Sequence, residues 1–283
     1  AGAADLTRTD TAPITAAVEW ANGYGSAGED ISRAVVVDAA GNSYIVGTID
    51  GPASFGGAIL PATAPKSIFL ASYDGSGGYR WAKHFGASGT NSGYGLVLEP
   101  GGVIMTGDFE GSASFGGPVL TSAGQDDVVL ASFSSDGDHR WSRRYGGAGE
   151  DGPFALARDP QSGDLFLAAS VTGTSNLGGK DLPSKGSWDI AVASFTPAGD
   201  HRWSLRHGGA GGDAGRGIAV DALGFVTVAA ELEGTDTIGG GAVTTAEDDA
   251  LALRLSAADG ALYRAKEGGR DRVERAPGAE ESG

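Results

Sequence analysis

Residues 137–151 read GDHRWSRRYGGAGED, and residues 199–213 repeat them almost letter for letter as GDHRWSLRHGGAGGD. Weaker copies of this segment surround Trp20 and Trp81, and a degenerate copy has Tyr263 in place of the tryptophan. The aromatic residues at positions 20, 81, 141, 203 and 263 are separated by 61, 60, 62 and 60 residues. A near-constant period of this size indicates an array of structural repeats that fills most of the chain.

Each repeat contains four short runs that favour β-strands. In the first repeat they lie at residues 33–38, 43–49, 67–73 and 78–85, and the turns between them are rich in Gly, Asn and Asp,. A four-stranded antiparallel unit of this length, repeated along a chain, is typical of the blades of a β-propeller. We therefore predict an all-β fold, a β-propeller with four blades. The predicted blades span about residues 31–86, 92–146, 152–208 and 214–268.

The number of strands predicts how the ring closes. The tryptophan strand occurs five times but the other three strands only four times, and the extra copy lies at residues 17–24. Propellers commonly remove an open edge by letting one terminus complete the blade that the other began. We expect residues 17–24 to be the outer strand of the last blade and to displace the weak copy at 262–267; an open arc, or part of a larger ring, is the alternative. Residues 1–15 are expected to form an extended arm, and 270–283 a disordered tail.

Composition excludes several classes of function. The 283 residues carry a formal net charge of −16, which argues against binding to nucleic acid or anionic membranes and suits divalent cations,. The chain has no Cys, so disulfides and thiolate metal sites are excluded,. No apolar run approaches the length of a membrane-spanning helix,. A first residue that is Ala, not Met, leads us to expect a processed and secreted product,.

The repeat resembles a bacterial family, the seven-bladed β-propeller repeats, which are common in large secreted proteins of soil and predatory bacteria. The likeness covers roughly residues 17–269, although this chain has four repeats and not seven. The segments that resemble the family are 37–47 (VDAAGNSYIVG), 114–117 (SFGG), 120–133 (LTSAGQDDVVLASF) and the strand around Trp141. The resemblance implies the propeller fold and a secreted or cell-surface location in bacteria, and it supplies no catalytic residue.

The tryptophans are of two kinds. Four recur once per repeat, at positions 20, 81, 141 and 203, and this regularity indicates that they pack one blade against the next,. Trp188 is different because it interrupts the repeat in a loop before a third strand. An aromatic residue outside the repeat pattern is a candidate for ligand recognition.

Acidic residues recur in two loops of each repeat. Before the first strands lie Asp30, Asn91, Asp151 and Asp213, and before the third strands lie Ser67, Asp127, Asp189 and Asp249. In an up-and-down blade both loops lie on one face of the ring, and the loops at 146–151 and 208–213 are similar to a Gly-Gly-x-Gly-x-Asp calcium repeat,. The candidate calcium ligands are Asp30, Asp127, Asp151, Asp189, Asp213 and Asp249. The alternative is that each aspartate caps a turn by accepting backbone hydrogen bonds.

No catalytic motif is present: the four histidines do not have zinc spacing, and no nucleophile elbow occurs,. We therefore expect a non-catalytic propeller for binding, adhesion or structural display, with an unknown protein or carbohydrate as partner. One alternative is a polysaccharide lyase or glycosidase that uses Asp151 and Asp213 on the ring face. Another is a scaffold that associates with itself through the unpaired tryptophan strand.

Overall fold

The structure, a computed structural model, describes residues 18–61, 64–86, 88–238, 241–245 and 249–255. Within these residues the regular structure is entirely β, and four small antiparallel sheets are arranged as the blades of a four-bladed propeller. The predicted all-β propeller fold is thus confirmed. The arm at 1–15, the strand at 262–267 and the tail at 270–283 lie outside the described residues.

Strands follow one another in the sheets in chain order. The first blade contains β1 (Ile31–Val37), β2 (Ser43–Ile49), β3 (Ser67–Tyr73) and β4 (Tyr79–Phe85). The second contains β5 (Ser92–Glu99), β6 (Gly102–Ala113), β7 (Leu120–Ser134) and β8 (His139–Tyr145). The third contains β9 (Asp151–Arg158), β10 (Leu165–Val171), a two-stranded ladder of β11 (Thr174–Ser175) and β12 (Leu182–Pro183), then β13 (Asp189–Phe195) and β14 (His201–His207). The fourth contains β15 (Ala214–Val220), β16 (Val226–Leu232), a ladder of β17 (Thr235–Ile238) and β18 (Gly241–Thr244), and β19 (Asp249–Leu255).

The core lies between the blades. One apolar cluster joins the first and second blades, another the second and third, and another the third and fourth. The strands β1, β5, β9 and β15 contact one another in succession, so they form the inner wall of the propeller. The alternation of side chains along each sheet places one apolar face against each neighbouring blade.

Two of the repeated tryptophans, Trp81 and Trp141, pack as predicted, each against a glycine turn of the next blade. A Cβ added at Gly137 in the second blade would lie 2.8 Å from the ring of Trp81 in the first, and one at Gly199 would lie 2.7 Å from Trp141. These glycines have φ near +80°, which other residues rarely adopt,. The Trp81 Nε1 also donates to the Ser135 carbonyl at 2.9 Å. Burial of one such indole stabilises a junction by roughly 2–3 kcal/mol.

Residues 18–24 lie against the first blade. Trp20 covers Gly77 of that blade just as Trp81 covers Gly137, since a Cβ added at Gly77 would lie 2.7 Å from the Trp20 ring. The segment therefore takes the place that the outer strand of a preceding blade would occupy. Among the described residues, however, it belongs to no strand ladder, and β19 pairs only with β16. Ring closure by pairing of this segment with the last blade stays a prediction.

Candidate functional site

The upper face of the propeller, defined as the face with the loops leading into the first and third strands of each blade, contains two buried carboxylate pairs. The pairs are Asp127 with Asp151, and Asp189 with Asp213. All four residues have no exposed surface. Within each pair the carboxylates flank one glycine, since a Cβ at Gly146 would lie 2.4 Å from the Asp127 Oδ1 and 2.9 Å from the Asp151 Oδ2. The structure therefore brings together four of the six predicted calcium ligands, two at each of two junctions.

Each pair is bound by an arginine and by backbone N–H groups. The Arg144 Nη1 donates to the Asp127 Oδ2 at 2.5 Å, and the Arg206 Nη1 lies 3.1 Å from the Asp189 Oδ2. The N–H of Gly147 donates to Asp151 at 2.6 Å. Burial raises the pKa of Asp151 to about 6, because the charged form loses its hydration,. These contacts fit the turn-capping interpretation of the aspartates.

The first junction has an uncharged version of the same arrangement. Ser67 and Asn91 stand where the other junctions have aspartates, and a Cβ at Gly86 would lie 3.0 Å from the Ser67 Oγ and 3.1 Å from the Asn91 Nδ2. The residue in the place of Arg144 and Arg206 is His84. Arginine therefore accompanies the paired carboxylates and is absent where they are absent. This pattern indicates that the arginine balances one of the two carboxylate charges.

The calcium prediction finds limited support in this geometry. Calcium takes about six to eight oxygen ligands, and no group of three or more acidic or histidine side chains in the described part of the chain is placed to hold a metal ion. Asp30 accepts hydrogen bonds from the N–H groups of Ser26 and Asp50, which lower its pKa although burial opposes them. Asp249 is exposed at the edge of the fourth blade. Calcium binding stays a prediction.

Trp188 lies on the upper face beside one carboxylate pair. Its backbone carbonyl accepts a hydrogen bond from the N–H of Asp213 at 2.9 Å, and Trp188 as a whole is half-buried. The predicted ligand contacts Trp188 and Asp213 are thus neighbours, whereas Asp151 belongs to the preceding junction. Since Asp151 and Asp213 have no exposed surface, only Trp188 of these three presents a side chain to a ligand.

A second group of residues, which sequence reasoning missed, lies on the inner wall. Each inner strand contains a β-bulge, where one residue has no partner in the ladder,. The four bulge residues are Arg33, Tyr94, Phe154 and Arg216, and we call them the axial row. Each follows the junction residue of its blade (Asp30, Asn91, Asp151 or Asp213) by three positions, so the row lies near the upper face.

Contacts run along the axial row from blade to blade. The Arg33 guanidinium lies 4.7 Å from the centre of the Tyr94 ring, and the Arg216 guanidinium lies 4.5 Å from that of Phe154. The two rings meet edge to face at 5.8 Å. Both arginines are exposed and both rings are half-buried. The row thus offers two positioned guanidinium groups and two aromatic rings within one continuous surface.

Two acidic residues adjoin the axial row. Asp108 is 8% exposed, accepts a hydrogen bond from the Ser92 N–H at 2.9 Å and bonds to the Tyr94 hydroxyl. Burial, and then the charge of Asp126, raise the pKa of Asp108 to about 7. Glu231 occupies the same place in the fourth blade, where its carboxylate accepts from the Arg216 Nη2 at 2.7 Å. A titratable, buried carboxyl next to an aromatic hydroxyl is a common element of functional sites.

A signal for the axial row exists in the sequence. Aligned repeats show one large side chain between small ones, as in Gly93-Tyr94-Gly95 and Gly215-Arg216-Gly217. The apolar pattern alone predicts inner strands that begin at 93 in the second blade and at 217 in the fourth, later than the observed first residues Ser92 and Ala214. This prediction places Tyr94 in a regular strand and Arg216 in the preceding loop.

The first blade also has a cleft on the face turned away from the second blade. Its volume is about 140 Å³, and its walls include Trp20, Tyr24, Phe55, Phe69 and Tyr73. The cleft lies between the segment at 18–24 and the sheet, where the inner strands of a preceding blade would pack. We therefore attribute it to the seam between the last and first blades.

Comparison with known proteins identifies no relative. No protein-family model matches the chain, and no curated protein matches it significantly. The described residues also contain no helix with the length and hydrophobicity that a membrane crossing requires.

Proposed function

We propose that this chain is a non-catalytic β-propeller, secreted or displayed at the bacterial cell surface, that binds a protein or carbohydrate ligand on its upper face. The axial row is the observation that supports this function. Structural positions of the repeat keep one residue type, as the tryptophans do, whereas the four equivalent bulge positions carry Arg, Tyr, Phe and Arg. Their side chains lie outside the apolar clusters that join one sheet to the next. Membership of the seven-bladed β-propeller repeat family and export from the cell are parts of this proposal.

A binding screen with a matched pair of variants tests it. The purified chain is applied to glycan and surface-protein arrays, and each ligand found is titrated against the double variant Tyr94→Ala/Phe154→Ala. We expect at least a tenfold loss of affinity in this variant. Phe225→Ala is the control, because Arg254 stacks over Phe225 at 4.6 Å away from the inner wall. The proposal is wrong if no ligand is found or if the control loses as much affinity as the double variant.

The buried Asp108–Tyr94 pair favours a second candidate, a lyase or glycosidase. The carboxylates predicted for this chemistry, Asp151 and Asp213, are fully buried. Asp108, in contrast, interacts with the exposed Arg33 and has a pKa of about 7. A group with such a pKa can exchange a proton with a substrate near neutral pH. Turnover of a polysaccharide that Asp108→Asn abolishes without lowering the melting temperature would establish this function in place of the first. Self-association through the unpaired tryptophan strand stays a third prediction.

A further inference from the structure

The two arginines of the axial row are held in fixed orientations. Each guanidinium lies over an aromatic ring, with its central carbon 4.7 Å from the ring centre for Arg33 and 4.5 Å for Arg216. Both arginines are exposed, so N–H groups remain available, and guanidinium N–H groups bind carboxylates in a bidentate manner,. Because the rings already order the side chains, a ligand has little arginine entropy to remove.

The charges around the two arginines are unequal. Arg216 is bound by Glu231 at 2.7 Å, whereas Arg33 forms no ion pair with any described residue. The acid nearest in its effect is Asp108, which Arg33 attracts without forming an ion pair. An exposed arginine with no ion pair among the described residues requires an explanation in a chain with 36 acidic and only 20 basic residues. With one of the two guanidinium charges already neutralised by Glu231, the row is suited to a ligand group with a single negative charge. A dianionic phosphate carries one negative charge more than the Arg33 guanidinium balances.

We infer that the axial row binds its ligand through a carboxylate, which Arg33 takes in a bidentate contact while Arg216 lies on the other side of the two rings. This inference rests on the proposed binding function and specifies its ligand class. A free sugar acid and a uronic acid within an acidic polysaccharide share this chemistry. Both present a monoanionic carboxylate next to a sugar ring.

Calorimetric titration with three related sugars tests the ligand group. The probes are glucuronate, glucose and glucose 6-phosphate, which share one ring and differ in charge, and oligogalacturonate tests the polysaccharide source. We expect glucuronate to bind more tightly than glucose by at least tenfold and more tightly than the phosphate. Tighter binding of oligogalacturonate than of glucuronate would assign the polysaccharide source, and equal binding the free acid. Binding of glucose as strong as that of glucuronate would overturn the inference.

Four variants locate the contact. Arg33→Ala should lower glucuronate affinity at least tenfold, and Arg216→Ala by a smaller factor because Glu231 already uses that arginine. Glu231→Gln should raise the affinity severalfold by freeing Arg216. Arg254→Ala is the matched control, since this arginine also stacks on a ring, at 4.6 Å, and pairs with an acid, Asp221 at 2.7 Å, away from the row.

These outcomes separate the inference from the proposed function. If Arg33→Ala keeps full affinity, the carboxylate contact is wrong. If no acidic sugar binds while another ligand is lost in the Tyr94→Ala/Phe154→Ala variant, the inference fails and the binding function stands. If the arrays and all four sugars yield no ligand, both fail.

Discussion

Asp108 and Glu231 occupy equivalent places in the second and fourth blades, but their surroundings differ. The Glu231 side chain is 41% exposed and pairs with Arg216. Asp108 is 8% exposed and forms no ion pair among the described residues, so burial favours its neutral form,. The same repeat position thus holds a charged partner for arginine in one blade and a proton-binding group in another.

The pKa of Asp108 predicts a pH-dependent stability. Since its pKa of about 7 in the folded chain exceeds the ordinary 3.8, the folded state binds a proton that the unfolded state releases. The contribution of Asp108 to the free energy of unfolding is therefore greatest below pH 3.8 and is lost as the pH rises through about 7. Asp108→Asn, which stays neutral, should be more stable than the wild type at pH 8, on the order of 1–4 kcal/mol.

Melting temperatures at pH 5 and pH 8 check this prediction. The advantage of Asp108→Asn should shrink at pH 5, where the wild-type carboxyl is already mostly protonated. Asp138→Asn, at an exposed turn position, should show no such change with pH. A stability difference between Asp108→Asn and the wild type that is equal at both pH values would contradict the assigned pKa.

The loops between blades show how an element tolerates buried charge. The second and third junctions each bury two carboxylates beside a partly exposed arginine, and the first buries Ser67 and Asn91 instead. Because the backbone positions are equivalent, the first junction is an internal reference for the other two. We therefore expect the two carboxylates and the arginine of a junction to be tolerated in the folded chain only when all three are present.

Removal of one member of the set should be costly. Arg144→Ala leaves Asp127 buried without its cation and should lower the free energy of unfolding by about 2–4 kcal/mol. The triple variant Arg144→His/Asp127→Ser/Asp151→Asn copies the first junction and should recover most of that loss. Urea denaturation measures both, with His84→Ala in the uncharged junction as the control. A triple variant no more stable than Arg144→Ala would show that the loops differ in more than charge.

Sequence reasoning succeeded for these elements where the pattern is local. The strands at 43–49 and 67–73 have the predicted bounds, because alternation and turn residues specify them directly. The burial of Asp127 was not predictable, because its partner Arg144 lies 17 residues away in another strand. An aspartate in a glycine-rich loop has the same sequence whether it faces solvent, calcium or a guanidinium group.

At the scale of the whole molecule, the first and fourth blades have unequal outer faces. The first blade exposes Val35 and Val37, at 61% and 54%, while the equivalent of Val35 in the second blade, Leu96, is 6% exposed. On the fourth blade, Ala250 and Ala252 are exposed where the first blade buries Ile68 and Leu70. The fourth blade therefore resembles the terminal unit of a repeat array, whose outer face is less apolar than those inside.

Placing the apolar residues of the first blade at the equivalent positions of the fourth tests whether this face of the fourth blade is free or packed. Because Ala250 and Ala252 are exposed, the double variant Ala250→Ile/Ala252→Leu should associate, and light scattering should show a mass that rises with concentration,. Ala40→Leu, at an exposed turn, is the control. A monomer with a raised melting temperature would instead show that the fourth blade packs on the first within one chain. That result would confirm the closure predicted from the fifth tryptophan strand.

The bulges of the inner strands have a consequence for how such a protein changes over time. The strand registers skip Arg33, Tyr94, Phe154 and Arg216, and these side chains lie outside the apolar clusters between blades, so their exchange leaves the register and those clusters unaltered,. Selection can therefore act on these four codons almost independently of folding. A combinatorial library restricted to them would sample new ligand specificities on an unchanged scaffold.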